Sequence, residues 1–236
     1  MTKEQLYQIG MLAAKEGHYP EALDFFNKAI AADPRYAPAY NGLGLIYESD
    51  GMRDPQKAAR HFRMAVEFDP KYVEAWTNLG KLYYADGSFL PAEKAFVKSL
   101  EILPDQPEIE FTLAWVYLLG ESKADEAIAA FEHAMSQQDN SAAYYGLGLA
   151  YLLKEDRFKV LDAITQLRHR GREDQALKLE DMLRKKVKLT SRPGSPLVTG
   201  TDTGPSAFQE QLSAMGDPAD GNGGIKVRLR GPLPAP

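Results

Sequence analysis

The chain of 236 residues contains no cysteine. This absence excludes disulfides, thiolate nucleophiles and cysteine-based zinc sites from its chemistry. A cysteine-free sequence is compatible with a reducing compartment, and we expect a cytoplasmic location.

Long apolar runs are also missing. No stretch of about 18 consecutive apolar residues occurs, so the sequence predicts no membrane span. The first 17 residues, MTKEQLYQIGMLAAKEG, lack the continuous apolar core of a secretory signal. We therefore predict no signal peptide.

Signatures of catalysis and of metal binding are absent too. No HExxH or GxSxG pattern occurs, and GKLY at residues 80–83 lacks the rest of a phosphate-binding loop. The four histidines lie far apart without ligand-like spacing: His18, His61, His133 and His169. We predict a protein that is not an enzyme and has no catalytic residue, metal site or cofactor.

Charge is distributed unevenly along the chain. Residues 1–156 carry 14 Lys/Arg against 24 Asp/Glu, whereas residues 157–192 carry 11 against 5. The basic stretches RHRGRED (168–174) and RKKVK (184–188) could serve a nucleic-acid surface. They have no interleaved aromatic residues for base stacking, so we expect a solvated face or a contact for an acidic protein.

A repeated stretch of apolar and small residues is the main positive feature. WTNLGKLYYADG (76–87) is matched by YNGLGLIYESDG (40–51), LYQIGMLAAKEG (6–17) and YYGLGLAY (144–151). Alignment on the Leu-Gly or Ile-Gly step gives a unit of about 34 residues. Each unit predicts two helices, the second closed in the first three units by a proline.

The repeat resembles the tetratricopeptide repeat (TPR) family, whose pattern is W-x-x-L-G-x-x-Y, then A-x-x-x-F, then P. The third unit carries it most fully, with Trp76, Leu79, Gly80, Tyr83, Gly87, Ala92, Phe96, Ser99 and Pro104. The fourth unit departs from it, since Glu110 replaces the aromatic residue and Ala114 the glycine. The resemblance covers roughly 165 residues.

The resemblance implies an all-α fold, a right-handed α-solenoid of about five TPR helix pairs. The units lie near residues 3–36, 37–72, 73–106, 107–140 and 141–170. Residues 171–189 predict a capping helix, because a terminal repeat needs a polar outer face; its apolar positions are Ala176, Leu179, Leu183 and Val187. Residues 190–236 are rich in Gly and Pro, and we predict a disordered tail.

The recurring helical glycine needs a packing reason, because glycine costs about 1 kcal/mol relative to alanine inside a helix. We expect the Gly of each first helix to face an Ala of the second. Close approach of the two backbones would then offset the cost in helix propensity.

TPR arrays present the first helix of each unit on a concave surface, so the resemblance implies a partner-binding groove there. The predicted partner-binding residues are Tyr7, Met11, Asn41, Leu45, Glu74, Asn78, Lys81, Tyr84, Phe111, Trp115, Leu118, Tyr145 and Leu149. The aromatic C-terminal half would be a pocket, since Trp and Tyr often dominate binding energy. Alternatively, the capping helix buries it. One TPR subclass binds the C-terminal carboxylate of heat-shock chaperones through a Lys and an Asn of its first unit. This chain has Tyr7 and Met11 at those positions, which disfavours a chaperone C-terminus as the ligand.

These features predict a non-catalytic adaptor or scaffold that binds a peptide or helix of another protein in the groove. We predict neither nucleic acid nor a membrane span among its interactions. The alternative is a self-assembling scaffold, a homo-oligomer in which the tail docks in its own or a neighbour's groove. The segment for this would be SAFQEQLSAM (206–215), where Phe208, Leu212 and Met215 lie at helical spacing.

Overall fold

The structure is a computed structural model that describes residues 1–120, 123–137 and 140–190. Within these residues the backbone forms eleven α-helices and no β-strand. The helices are α1 (Lys3–Lys15), α2 (Tyr19–Ala32), α3 (Ala37–Glu48), α4 (Pro55–Phe68), α5 (Val73–Ala85), α6 (Phe89–Ile102), α7 (Pro107–Gly120), α8 (Ala124–Gln137), α9 (Ser141–Leu153), α10 (Arg157–His169) and α11 (Glu173–Thr190). The all-α prediction is confirmed.

Consecutive helices pack against each other in pairs, from α1 with α2 to α9 with α10. Each pair stacks on the next, and first helices also touch directly at α1–α3 and α7–α9. The last helix, α11, touches α9 in the same way. Packing of each unit on its neighbours along the chain defines an α-solenoid. The predicted solenoid of helix pairs is therefore confirmed.

Local sequence determines where helices begin and end. Pro55 is the first residue of α4, where its missing N–H costs nothing. The preceding Asp54 accepts a hydrogen bond from the Lys57 backbone N–H and caps the helix. Gly17 and Gly87 follow the first helices with φ of 79° and 78°, a conformation that glycine adopts without strain.

The repeat glycines of the first three units pack against phenylalanine rings, which corrects the expected contact with alanine there. In the fifth unit a Cβ added at Gly148 would lie 3.3 Å from the Ala163 Cβ, so the expected contact is present. A Cβ added at Gly10 would lie 2.8 Å from the Phe26 ring, and one at Gly80 would lie 2.6 Å from the Phe96 ring. The corresponding rings of the second helices are fully buried: Phe26, Phe62, Phe96 and Phe131. Burial of a whole ring offsets the poor helix propensity of glycine.

Some of these rings also reach into the following unit. A Cβ added at Gly42, in the second unit, would lie 2.7 Å from the Phe26 ring. Gly146 of the fifth unit packs on Phe131 of the fourth in the same way. The core is thus built from side chains that span neighbouring pairs.

Helix α11 closes the C-terminal end of the array by packing on α9 and α10. Its predicted apolar residues Ala176, Leu179 and Leu183 are buried. Glu180 is partly exposed and accepts a hydrogen bond of 2.7 Å from Arg168. The side chain of Val187 lies outside the part that the structure describes. Of the predicted tail, Thr190 is the last residue of α11, and residues 191–236, with the segment around Phe208, lie outside the described residues.

Ion pairs occupy much of the basic C-terminal sequence. Arg168 binds both Glu173 and Glu180, and Lys185 binds Asp181. Surface pairs of this kind contribute little stability, but they place positive charge next to negative charge. This arrangement favours the solvated face over a nucleic-acid surface.

His61 of α4 lies in a site that disfavours its charged form. Its ring stacks on Tyr47, with 5.6 Å between centroids and 6° between planes. Its Nδ1 atom is buried without a hydrogen-bond partner among the described residues. Burial lowers the pKa of His61 below its usual 6.5, and the charges of Arg60 and Lys57 add to this.

Acidification is expected to destabilise the array through His61. Well above the unfolded pKa both states are neutral, but as pH falls through about 6.5 the unfolded chain binds the proton first. The free energy of unfolding then falls, by about 1.4 kcal/mol per unit of difference between the two pKa values. Thermal unfolding between about pH 7.5 and 5.5 measures the loss. The His61→Phe variant should lose part of this pH dependence, and an unchanged profile would contradict the assignment.

Candidate functional site

The first helices of the N-terminal pairs line a concave groove of about 850 Å³. Seven predicted partner-binding residues lie in it: Tyr7, Met11, Asn41, Leu45, Glu74, Asn78 and Lys81. They come from α1, α3 and α5, so three successive repeats contribute to one surface. The structure therefore brings together the N-terminal half of the predicted set.

The groove also includes residues that the predicted set missed. Most of them precede or begin α5 and α7: Lys71, Tyr72, Val73, Leu103, Gln106, Pro107, Glu108 and Ile109. Lys71, Tyr72, Leu103 and Gln106 lie in the turns before α5 and α7, whereas the family positions are counted within the first helices. Glu108 lies within α7 at the position equivalent to Glu74 and was left out of the predicted set. One signal was present, since Tyr36 and Tyr72 recur immediately before α3 and α5.

A series of polar groups crosses the floor of the groove. The Asn78 Nδ2 donates a hydrogen bond of 3.0 Å to the Asn41 Oδ1. Asn41 is only 4% exposed, and the Tyr72 hydroxyl lies near the side chains of both Asn41 and Tyr7. Three repeats thus contribute to one polar group of side chains, in which Tyr7, Tyr72 and Asn78 are partly exposed and can both donate and accept hydrogen bonds.

These hydroxyls remain neutral at physiological pH. Burial raises the pKa of Tyr7 and of Tyr72 above the usual value of 10. Neutral amides and phenols suit hydrogen-bonded recognition of a ligand.

Charged side chains surround the polar floor. Glu74 and Glu108 occupy equivalent positions of consecutive units, and both are exposed. Lys71 and Lys81 add positive charge to the same groove. Burial raises the pKa of nearby Glu48, while the charge of Lys81 opposes this rise. Apolar, hydrogen-bonding and charged groups thus meet in one concavity, as in known ligand sites.

The aromatic C-terminal half of the predicted site lies in the core. Five predicted residues are at most 5% exposed: Tyr84, Trp115, Leu118, Tyr145 and Leu149. The Trp115 ring packs edge-on against Phe131, with 5.3 Å between centroids. Phe111 is partly buried and packs on the same cluster. Internal burial, which the sequence left open, is the arrangement that the structure shows.

Helices α7 and α9 account for this burial. Their sequences, PEIEFTLAWVYLLG and SAAYYGLGLAYLL, carry apolar residues on all sides after the first turn. A helix that is apolar all round is buried by its neighbours, and α9 lies between α7 and α11. Burial raises the pKa of Tyr145 in α9 to about 12. The missing polar face was the sequence signal that could have separated core from groove.

A second cavity lies elsewhere in the described part of the chain. This smaller cavity of about 390 Å³ is lined by side chains of α8, α9 and α10, including Tyr151 and Phe158. Among the described residues, no group of three or more His, Asp or Glu side chains is placed to hold a metal ion. No helix in the described ranges is long and apolar enough to cross a membrane.

Known proteins share the repeat and the fold. The family model of the tetratricopeptide repeat matches residues 7–72 and 50–107. A search of curated proteins found no match. The crystal structure of YrrB, a TPR protein with an unusual peptide-binding site, aligns with a TM-score of 0.67 at 23% identity. That alignment covers 75% of this chain and 90% of YrrB.

Two crystal structures of MamA are also similar. One aligns with a TM-score of 0.59 at 25% identity and covers 76% of this chain and 97% of that chain. The other gives 0.58 at 23% identity and covers 83% and 97%. The glycine-centred repeat, the stacked helix pairs and the family match agree. The chain belongs to the tetratricopeptide repeat family.

Proposed function

We propose that this protein is a non-catalytic scaffold that binds a peptide segment of a partner protein in its N-terminal groove. The observation that carries the proposal is the hydrogen-bonded pair of Asn41 and Asn78 on the floor of a concave surface. A peptide backbone offers a donor and an acceptor at almost every residue. Side-chain amides can satisfy both.

The rest of the groove suits the side chains of such a peptide. Met11 and Leu45 provide apolar surface, and methionine adapts to irregular partners. Glu74 and Lys81 provide charges of opposite sign, which can fix the direction of a bound segment. The same fold carries a peptide-binding site in YrrB, which supports this use of the groove.

We propose that this protein is located in the cytoplasm and meets its partner there. The chain has no cysteine, so a reducing compartment would remove no disulfide from it. Fractionation of cells that express the full chain tests this location.

The groove is tested by selecting peptides from a random library that is displayed on phage. Library members of about 12 residues are long enough to cross three helices spaced by about 10 Å. Selected peptides are then titrated against the full chain and its Asn78→Ala/Lys81→Ala variant by fluorescence anisotropy. We expect the variant to raise Kd at least about tenfold, or about 1.4 kcal/mol.

The matched control is Arg63→Ala/Lys98→Ala, which truncates two exposed residues of the second helices α4 and α6. It should leave Kd unchanged, and circular dichroism confirms that both variants keep their helices. Peptides that bind the groove variant as tightly as the natural chain would contradict the proposal. A library that yields no binder would contradict it as well.

A further inference from the structure

We propose that the groove of the free protein is occupied by the chain's own residues 225–230, IKVRLR. The inference rests on the proposed function, because it assigns an occupant to the same groove. This segment alternates apolar and basic residues: Ile225, Lys226, Val227, Arg228, Leu229 and Arg230. In the free protein the segment would therefore act as an internal competitor for partner peptides.

The alternation matches the arrangement of the groove. In an extended segment, successive side chains point to opposite faces. One face would set apolar residues on Met11 and Leu45 of the groove. The long basic side chains of the other face can bend back to the exposed carboxylates of Glu74 and Glu108. Neither carboxylate forms an ion pair with another described residue.

Charge distinguishes this segment from the rest of the tail. Residues 221–236 contain three basic residues and no acidic residue, whereas residues 1–156 carry 14 Lys/Arg against 24 Asp/Glu. The segment 206–215 has Glu210 as its only charged residue, so the acidic array would repel it. The groove also holds two lysines: Lys71 is exposed, and Lys81 is partly buried. The charges thus favour residues 225–230 as occupant.

The intervening chain is long enough to reach the groove. Residues 191–224 provide 34 residues after α11, which extend to about 110 Å at most. A flexible chain of this length has an end-to-end distance of about 30 Å. The path from α11 past α9 and α7 to α5 takes three steps of about 10 Å. Docking within one molecule therefore needs no stretched linker.

Engineered disulfides test the proposal, because in a chain without cysteine two introduced thiols form the only pair. Full-length protein with Lys71→Cys on the groove rim and Leu229→Cys in the segment is oxidised at low protein concentration. The control pair is Arg63→Cys with Leu229→Cys, on an exposed site of α4. The groove pair should close at least about tenfold faster, because docking raises the effective concentration of its thiols.

Two further arms test the charge argument. Changing Arg228 and Arg230 to Glu should make the groove pair close no faster than the control pair. Raising ionic strength from about 0.05 M to about 0.5 M should reduce the ratio of the two closure rates, because salt screens exposed charges. If the groove pair still closed faster after both changes, the docking would not depend on charge and the proposal would be overturned.

Other outcomes would overturn the assignment of the occupant. Equal closure rates for the groove and control pairs would exclude docking. Disulfide-linked dimers would place the segment in a neighbouring molecule. Faster closure of Lys71→Cys with Ala207→Cys would identify residues 206–215 as the occupant. The phage-selected peptides decide separately whether the groove binds peptides at all, so the two proposals can fail independently.

Discussion

Replacing Trp115 by alanine is expected to destabilise the protein by about 3–5 kcal/mol. Trp115 is 4% exposed, and its ring packs edge-on against Phe111 and Phe131 at centroid distances of 6.4 and 5.3 Å. Loss of the indole leaves a cavity that close-packed neighbours fill only in part. Urea unfolding followed by far-UV circular dichroism measures the change. The variant should therefore lose stability rather than partner binding alone.

The matched control for Trp115 is Phe158→Ala in α10. The Phe158 ring is 87% exposed, so its removal should change the free energy of unfolding by less than about 0.5 kcal/mol. Both variants remove an aromatic ring, and they differ in the burial of that ring. A Trp115→Ala protein as stable as the natural chain would restore the aromatic surface as a candidate site.

Gly80→Ala is expected to lower the free energy of unfolding by about 1–3 kcal/mol through overpacking. Alanine is the better helix former by about 1 kcal/mol, so propensity alone predicts the opposite sign. However, the new Cβ would lie 2.6 Å from two carbons of the Phe96 ring. That ring is fully buried and cannot move without displacing its neighbours. Urea unfolding measures which effect dominates.

Asn27→Ala provides the corresponding control, because Asn27 is an exposed residue of α2. The change should be neutral or stabilising by a few tenths of a kcal/mol, since only helix propensity alters. If Gly80→Ala stabilised the protein to the same extent, the space beside the Phe96 ring would accommodate the added methyl group. The packing account of the recurring glycine would then be wrong.

The helix pairs were predictable from sequence because each unit repeats the same local requirements. A turn glycine such as Gly17 or Gly87 ends the first helix, and an apolar face at helical spacing defines the second. The contact that the helical glycine makes was harder to predict from the sequence. Spacing shows that Gly80 and Ala92 share an interface, but it does not show that the Phe96 ring fills the gap.

The groove was predictable only where the helices are amphipathic. In α1, α3 and α5, most family positions coincide with residues that line the groove, such as Tyr7 and Asn78, whereas Tyr84 of α5 is buried. In α7 and α9 the same positions fall on helices that are apolar on all sides, so packing volume decides which residues are exposed. The turn residue Tyr72 lies outside the helical positions altogether. Its place depends on how successive pairs stack.

The phenylalanine that contacts two glycines sets the size of the smallest intact building block. Phe26 packs on Gly10 before it in the chain and on Gly42 after it. A single helix pair excised at its sequence boundaries would leave one side of that ring in water. The smallest segment that keeps the ring covered has three helices, here α1 to α3. Recombined arrays should therefore be joined through overlapping three-helix modules, each sharing its last helix with the first of the next.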